Sequence, residues 1–206
     1  MRDLYIIFSS TPYKIGKFIR TFTGEEYNHV SVMFDENMAQ AYSCGRRHID
    51  TPFWGGLIKD SVSRYEYKNV KAKINVCKVQ VEDEKYEKAL VIAQEMYKNK
   101  DLYIYNLFAA GISLFKRRLF IENTYTCVEF CVFLLSMMFE KIDKNGFYTV
   151  CSLYDEFKEC SIYKGEFNIQ GDPDEDFTKQ KGIKMSFVGT VGTVRELIKR
   201  MKQAKA

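Results

Sequence analysis

Thr126-Cys127-Val128-Glu129-Phe130-Cys131-Val132-Phe133-Leu134-Leu135-Ser136-Met137-Met138-Phe139 is the stretch that decides how this chain folds. Its first four residues match the capping box, in which a Thr hydroxyl and a Glu carboxylate three residues later satisfy the first free N–H groups of a helix. From Val128 to Phe139 the residues are apolar nearly all round, as in a helix enclosed by other elements. This helix is therefore expected at the centre of the molecule. The cap puts Cys127 in the first turn, where unpaired N–H groups and a partial positive charge favour a thiolate. The Cys127 N–H would also serve as a donor to an oxyanion. Cys131, one turn on, reads as packing, as do Cys44, Cys77, Cys151 and Cys160.

Upstream, Leu4 to Phe8 reads as a short buried strand, and Thr11-Pro12 as an N-cap followed by proline at the first helical position. Ile15, Phe18, Ile19 and Phe22 recur at helical spacing, and Gly24 stands where a left-handed C-cap belongs. Val30 to Phe34 alternates as a strand, Asp35-Glu36-Asn37 turns the chain, and Met38 to Ser43 returns as its hairpin partner. Gly45 to Asp60 holds Pro52, Gly55, Gly56 and the only tryptophan, Trp54, and follows neither regular period. It is read as a long ordered loop. Val70 to Val81 has strand character, and Glu82 to Lys98 is an amphipathic helix with Tyr86, Ala89, Leu90, Ala93 and Met96 on one face.

Leu102 to Phe115 carries no charge, but it is shorter than the ~20 residues a membrane helix needs and is read as a buried helix. Beyond the central helix come a short helix near Leu153 to Phe157, an acidic stretch inside a mobile segment 171–182, and a strand around Met185 to Val188. A terminal helix is expected from Thr193 to Lys202, with Val194, Leu197, Ile198 and Met201 facing inward.

The chain has 206 residues, enough for one substantial core, and a single domain over 1–206 is expected. At 46% hydrophobic and 15% aromatic it is not a disordered chain. Its net charge of +4 is small, with no Lys/Arg run interleaved with aromatics, so nucleic acid is not an expected partner. The apolar run after Met1-Arg2-Asp3 is shorter than a signal-peptide core, from which a cytoplasmic location is expected. In the cytosol the six cysteines should remain thiols. They form no Cys-x-x-Cys pair, and with only two histidines neither a structural metal nor a cofactor is expected.

Strand alternation places His29 on the face opposite Val30, Val32 and Phe34, away from the apolar face and available as a base for Cys127. His48, in Arg46-Arg47-His48, reads as solvated.

Taken together, Tyr27-Asn28-His29-Val30-Ser31-Val32, Ala41-Tyr42-Ser43-Cys44-Gly45-Arg46 and Tyr125-Thr126-Cys127-Val128-Glu129-Phe130 carry a family likeness. In this order, His before Cys, they resemble the circularly permuted branch of the NlpC-type, papain-like cysteine hydrolases, a group that includes relatives of lecithin retinol acyltransferase. The likeness spans roughly residues 4 to 160, and Pro52-Phe53-Trp54-Gly55-Gly56 is similar to a loop of uncharacterised bacterial members. It implies an α+β, papain-like fold in which the Cys127 helix packs on an antiparallel sheet presenting His29. It also implies a third polar residue on the strand after the histidine, orienting the imidazole. Ser43 is the best-placed candidate, with Tyr42 or Gln40 next if the register differs by a residue. No carboxylate lies on that strand. Trp54 and Tyr42 are the expected substrate contacts.

The leading expectation for function is a thiol hydrolase acting on an amide bond, in a peptide of the cell-wall type or another acyl-bearing small substrate. A lipid acyltransferase or thioesterase is the second reading. Leu102 to Phe115 followed by Lys116-Arg117-Arg118 is compatible with peripheral membrane contact. A papain-like domain retained only for binding is the third.

Overall fold

A computed structural model describes residues 1–112 and 119–203. In chain order the elements are β1 (Arg2–Ser10), α1 (Lys14–Thr23), β2 (His29–Met33), β3 (Ala41–Arg46), β4 (Gly55–Lys59), β5 (Glu66–Tyr67), β6 (Val70–Lys71), β7 (Lys73–Val81) and α2 (Asp83–Lys98). There follow β8 (Ile104–Tyr105), α3 (Leu107–Ile112), β9 (Thr124–Tyr125), α4 (Cys127–Leu135), α5 (Val150–Asp155), β10 (Ser161–Glu166), α6 (Glu175–Thr178) and α7 (Gly182–Gln203). The fold is α+β. Eight strands form one sheet in the order β10-β7-β1-β2-β3-β4-β8-β9, antiparallel except for the β8/β9 pair, and β5 and β6 form a small separate ribbon.

The central strands read apolar on both faces because both are covered. Leu4, Ile6 and Phe8 of β1 and Cys77, Val79 and Val81 of β7 join the larger core, which α2 and α4 close. Tyr5 and Ile7 of β1 with Ile74 and Val76 of β7 join a smaller core on the other face, under Tyr65, Met38 and Phe167. The buried face of α2 is Tyr86, Ala89, Leu90, Ala93 and Met96, the set that its period predicts. Seven of the nine α4 residues are buried, including Phe130, Cys131, Leu134 and Leu135, so the helix is enclosed as expected.

Several expectations are corrected. Thr11 does not cap α1: it exchanges hydrogen bonds with the Asn28 side chain, N–H to Oδ1 at 3.0 Å and Nδ2 to Oγ1 at 2.9 Å, and Tyr13 becomes the N-cap. The C-cap is Gly24, left-handed at φ 71°, as the sequence indicates. Residues 45–60 are not all loop, since Gly55–Lys59 pairs along β3 with Gly45 opposite Gly56, a ladder hidden by small residues of low strand propensity. Residues 102–112 are a turn, a two-residue strand and the short helix α3 rather than one helix; the rest of that predicted span and the basic Lys116-Arg117-Arg118 lie outside the described residues. β10 pairs antiparallel with β7 and was not foreseen.

Met185 to Val188 belongs to the 22-residue helix α7 rather than to a strand, because the helix starts at Gly182 and carries those apolar residues on exposed turns. Leu197 and Thr193 are its buried residues, while Ile198 is exposed. The segment 171–182 makes contacts with the rest of the chain. Phe177 is fully buried, Asp174 meets Arg64 at 3.1 Å, and Asp50 accepts the N–H groups of Lys181 and Gly182. Among the described residues no helix is long and apolar enough to cross a membrane.

Candidate active site

The first turn of α4 is built as its sequence demands. Thr126 Oγ1 accepts the Glu129 N–H at 3.2 Å, and Glu129 Oε2 accepts the Thr126 N–H at 2.8 Å. Cys127, the first helical residue, therefore has a backbone N–H with no acceptor inside the helix. Its side chain is nearly buried yet lines a cavity of about 650 Å³, a volume suited to a small ligand.

His29 comes from the other face of the sheet. β1 and β2 stay in register to Ser9 opposite His29, but β2 and β3 pair only at Val32/Tyr42 and Met33/Ala41. Towards His29 these two strands part. The carbonyl of Val30, left without a β3 partner, accepts from Ser43 Oγ at 2.6 Å and from Cys131 Sγ at 3.4 Å. The start of α4 sits at this split, and the Cys127 thiol and the imidazole interact through it, lining one cavity.

The third member is Asp60, directly after β4. Its N–H donates to the Ala41 carbonyl at 2.7 Å, fixing it at the edge of the split. His29 Nε2 stands 3.0 Å from Asp60 Oδ2, which also accepts from Tyr65 Oη at 2.9 Å and from the Ser31 hydroxyl. Oδ1 accepts the Ser61 N–H at 3.1 Å, with Arg64 Nε at 3.7 Å. A carboxylate 1% exposed is tolerated because both oxygens accept hydrogen bonds and two cations stand beside it.

Burial raises the pKa of Asp60, but the hydrogen bond and charge of His29, with Arg64 and Ser31, outweigh it and hold the group at about 2. Burial likewise lowers that of His29, and hydrogen bonds to Asp60 and Cys127 overcome it, raising the imidazole to about 10. With Asp60 ionised, Nε2 is the protonated donor towards Oδ2. The arrangement can supply a nucleophile, a proton carrier held in orientation, and a backbone oxyanion donor.

Of the residues expected here, Cys127 and His29 come together and the others do not. Ser43 points its hydroxyl at the Val30 carbonyl and holds the split open, so Asp60 takes the place beside the imidazole assigned to it. Tyr42 lies in the larger core against Phe34 and Tyr97, out of reach of a substrate, and Gln40 bonds Gln94 on α2. Trp54 lies against Gly189 of α7 and edge-on to His48, bordering a separate small cavity, while its neighbours Pro52, Phe53 and Gly55 line the main one. His48 is buried rather than solvated, its Nδ1 donating to the Asp176 carbonyl at 2.9 Å. Sequence reasoning misses Asp60 because the glycine-rich residues of β4 carry no strand period. The signal was Lys59-Asp60 closing a strand that returns beside the histidine's own hairpin.

The cavity walls are largely apolar. Phe18 and Phe22, stacked at 6.3 Å on α1, line it while 67% and 64% exposed, and Phe53 and Phe147 line it too. No group of three or more metal-binding side chains occurs among the described residues. Comparison with known proteins returns no match for this chain, whether among family models, curated proteins or solved structures.

Proposed function

We propose that this chain is a papain-like thiol hydrolase in permuted order, His29 ahead of Cys127, that cleaves an amide bond through an acyl-enzyme. One observation carries the reading: a capped helix start presents Cys127 in a cavity to an imidazole held by a buried carboxylate. The Cys127 sulfur attacks the carbonyl carbon while the Cys127 N–H stabilises the oxyanion. His29 passes a proton to the leaving nitrogen as the C–N bond breaks, then takes one from the water that hydrolyses the thioester. Asp60 keeps the ring oriented throughout. Peptides and other N-acyl amines are the substrate class.

The test is intact-protein mass spectrometry after exposure to a panel of activated acyl compounds. A single acyl adduct on Cys127, lost in Cys127→Ala and slowed in His29→Ala, supports the reading; acylation at random cysteines or none removes it.

The exposed Phe18 and Phe22 lining the cavity favour a second reading, transfer or thioester cleavage of a long acyl chain by the same three residues. Product analysis with an acyl thioester plus an added amine separates transfer from hydrolysis.

A further inference from the structure

Two arginines line the cavity, and they differ in how their charge is met. Arg64 has its charge met by carboxylates: Nη2 reaches Asp174 at 3.1 Å and Nε, without a hydrogen-bond partner, stands 3.7 Å from Asp60, while Nη1 donates to the Arg46 carbonyl at 2.7 Å. Arg46 meets no carboxylate among the described residues. Its guanidinium makes one bond there, to the Ile49 carbonyl at 3.3 Å, and lies over the Tyr13 ring at 3.5 Å, with Phe177 at 5.7 Å. Burial lowers its pKa to about 10, and the neighbouring Arg64 charge acts the same way, yet it remains a cation at neutral pH. A half-buried guanidinium beside a second one, stacked on an aromatic face and without a counter-ion, is an electrostatic deficit that a bound anion relieves. Lys144, also at the cavity, is exposed on its rim; Glu129, which lines it too, is held in the cap of α4.

Arg46 lines the same cavity as His29 and Cys127, and β3 passes the imidazole one residue earlier, where a Cβ built at Gly45 would stand 3.8 Å from His29 Cε1. The apolar wall of Phe18 and Phe22 suits the acyl half of a substrate, which leaves an anion to its amine half.

Resting on the thiol-hydrolase reading above, we propose that Arg46 anchors an anionic group, carboxylate or phosphate, on the leaving-group side of the scissile bond. The substrate class is then an N-acyl amine whose amine half is negatively charged and whose acyl half lies along the apolar wall of Phe18 and Phe22. The sulfur bonds to the acyl carbon, the C–N bond breaks with the imidazolium proton going to nitrogen, and the amine leaves with its anion on Arg46. Water then gives its proton to His29 and its oxygen to the thioester carbon, releasing the acid and the thiolate.

The test uses the full chain carrying Cys127→Ala, so that binding is read without chemistry. Calorimetric titration compares N-octanoylglycine with N-octanoylglycinamide, and N-octanoyl-phosphoethanolamine with N-octanoylethanolamine. The proposal expects at least one anionic ligand to bind tenfold or more tightly than its neutral counterpart, and the pair that does so tells carboxylate from phosphate. Adding Arg46→Gln should bring the ratio towards one, and Arg46→Lys should retain part of it. Equal affinities within both pairs, no binding by any of the four, or a preference that survives Arg46→Gln overturns the anion site. The wild-type-Arg46 comparison decides this even if Arg46→Gln fails to fold. Failure of Cys127 to acylate sinks the hydrolase reading separately.

Discussion

The imidazole of His29 and the carboxylate of Asp60, at 3.0 Å, form an ion pair across the open end of the β2/β3 ladder, and each holds the other in its charged form. His29, raised from 6.5 to about 10, contributes stability fully below pH 6.5 and loses it as pH rises through about 10. Asp60, lowered from 3.8 to about 2, contributes above pH 3.8 and loses it as pH falls through about 2. The pair is thus most stabilising between pH 3.8 and 6.5.

Asp60→Asn should therefore lower Tm most near pH 5 to 6, with the gap to wild type narrowing towards pH 10. In the same variant the basic limb of the pH profile for Cys127 alkylation should move to lower pH, and hydrolysis should fall on the order of 10²-fold or more. A Tm gap independent of pH would show that Asp60 is only a packing residue.

Ser43→Ala should behave differently, because Ser43 serves the Val30 carbonyl and not the imidazole. Loss of one buried hydrogen bond should cost about 1 kcal/mol in urea denaturation while leaving the pH profile in place. A shift of the profile comparable to that of Asp60→Asn would reinstate Ser43 as the orienting group.

Thr126→Ala removes the hydroxyl that accepts the Glu129 N–H. The expected loss is about 1 kcal/mol in denaturant unfolding, together with slower alkylation of Cys127, since fraying the first turn disperses the N–H groups around the sulfur. Unchanged alkylation with reduced stability would separate the cap from the chemistry.

The parts of the fold that could be read from sequence were those with a strong period or a named end signal. The Thr126–Glu129 box, the α2 face and Gly24 each state a local rule that tertiary context left intact. Local rules failed where long-range partners decided the outcome. Asn28 took the Thr11 hydroxyl, a glycine-rich stretch became β4 by pairing with β3, and an apolar run suited to a strand was absorbed into α7 by helix continuity from Gly182. The shared cavity of Cys127 and His29 was legible because each residue could be argued from position on its own element. Asp60 was not, since its role depends on which strand lies beside His29, a fact of topology rather than of spacing.

Gly189 tests the corrected place of Trp54. A Cβ there would stand 2.2 Å from the indole, so Gly189→Ala must displace α7 or the ring, at a cost of about 1–3 kcal/mol. Limited proteolysis should cut α7 faster while Cys127 keeps its alkylation rate, because Trp54 borders the smaller cavity. Loss of thiol reactivity in a folded Gly189→Ala protein would return Trp54 to the reactive cleft.

The most direct measurement is competitive labelling of the six thiols with limiting iodoacetamide near neutral pH, read by peptide mapping. The account predicts that Cys127 is labelled first, and that His29→Ala and Asp60→Asn both slow it in proteins that keep their far-ultraviolet circular dichroism. Faster labelling of Cys151 or Cys160, the two half-buried thiols, with no effect of either substitution on Cys127, would contradict it.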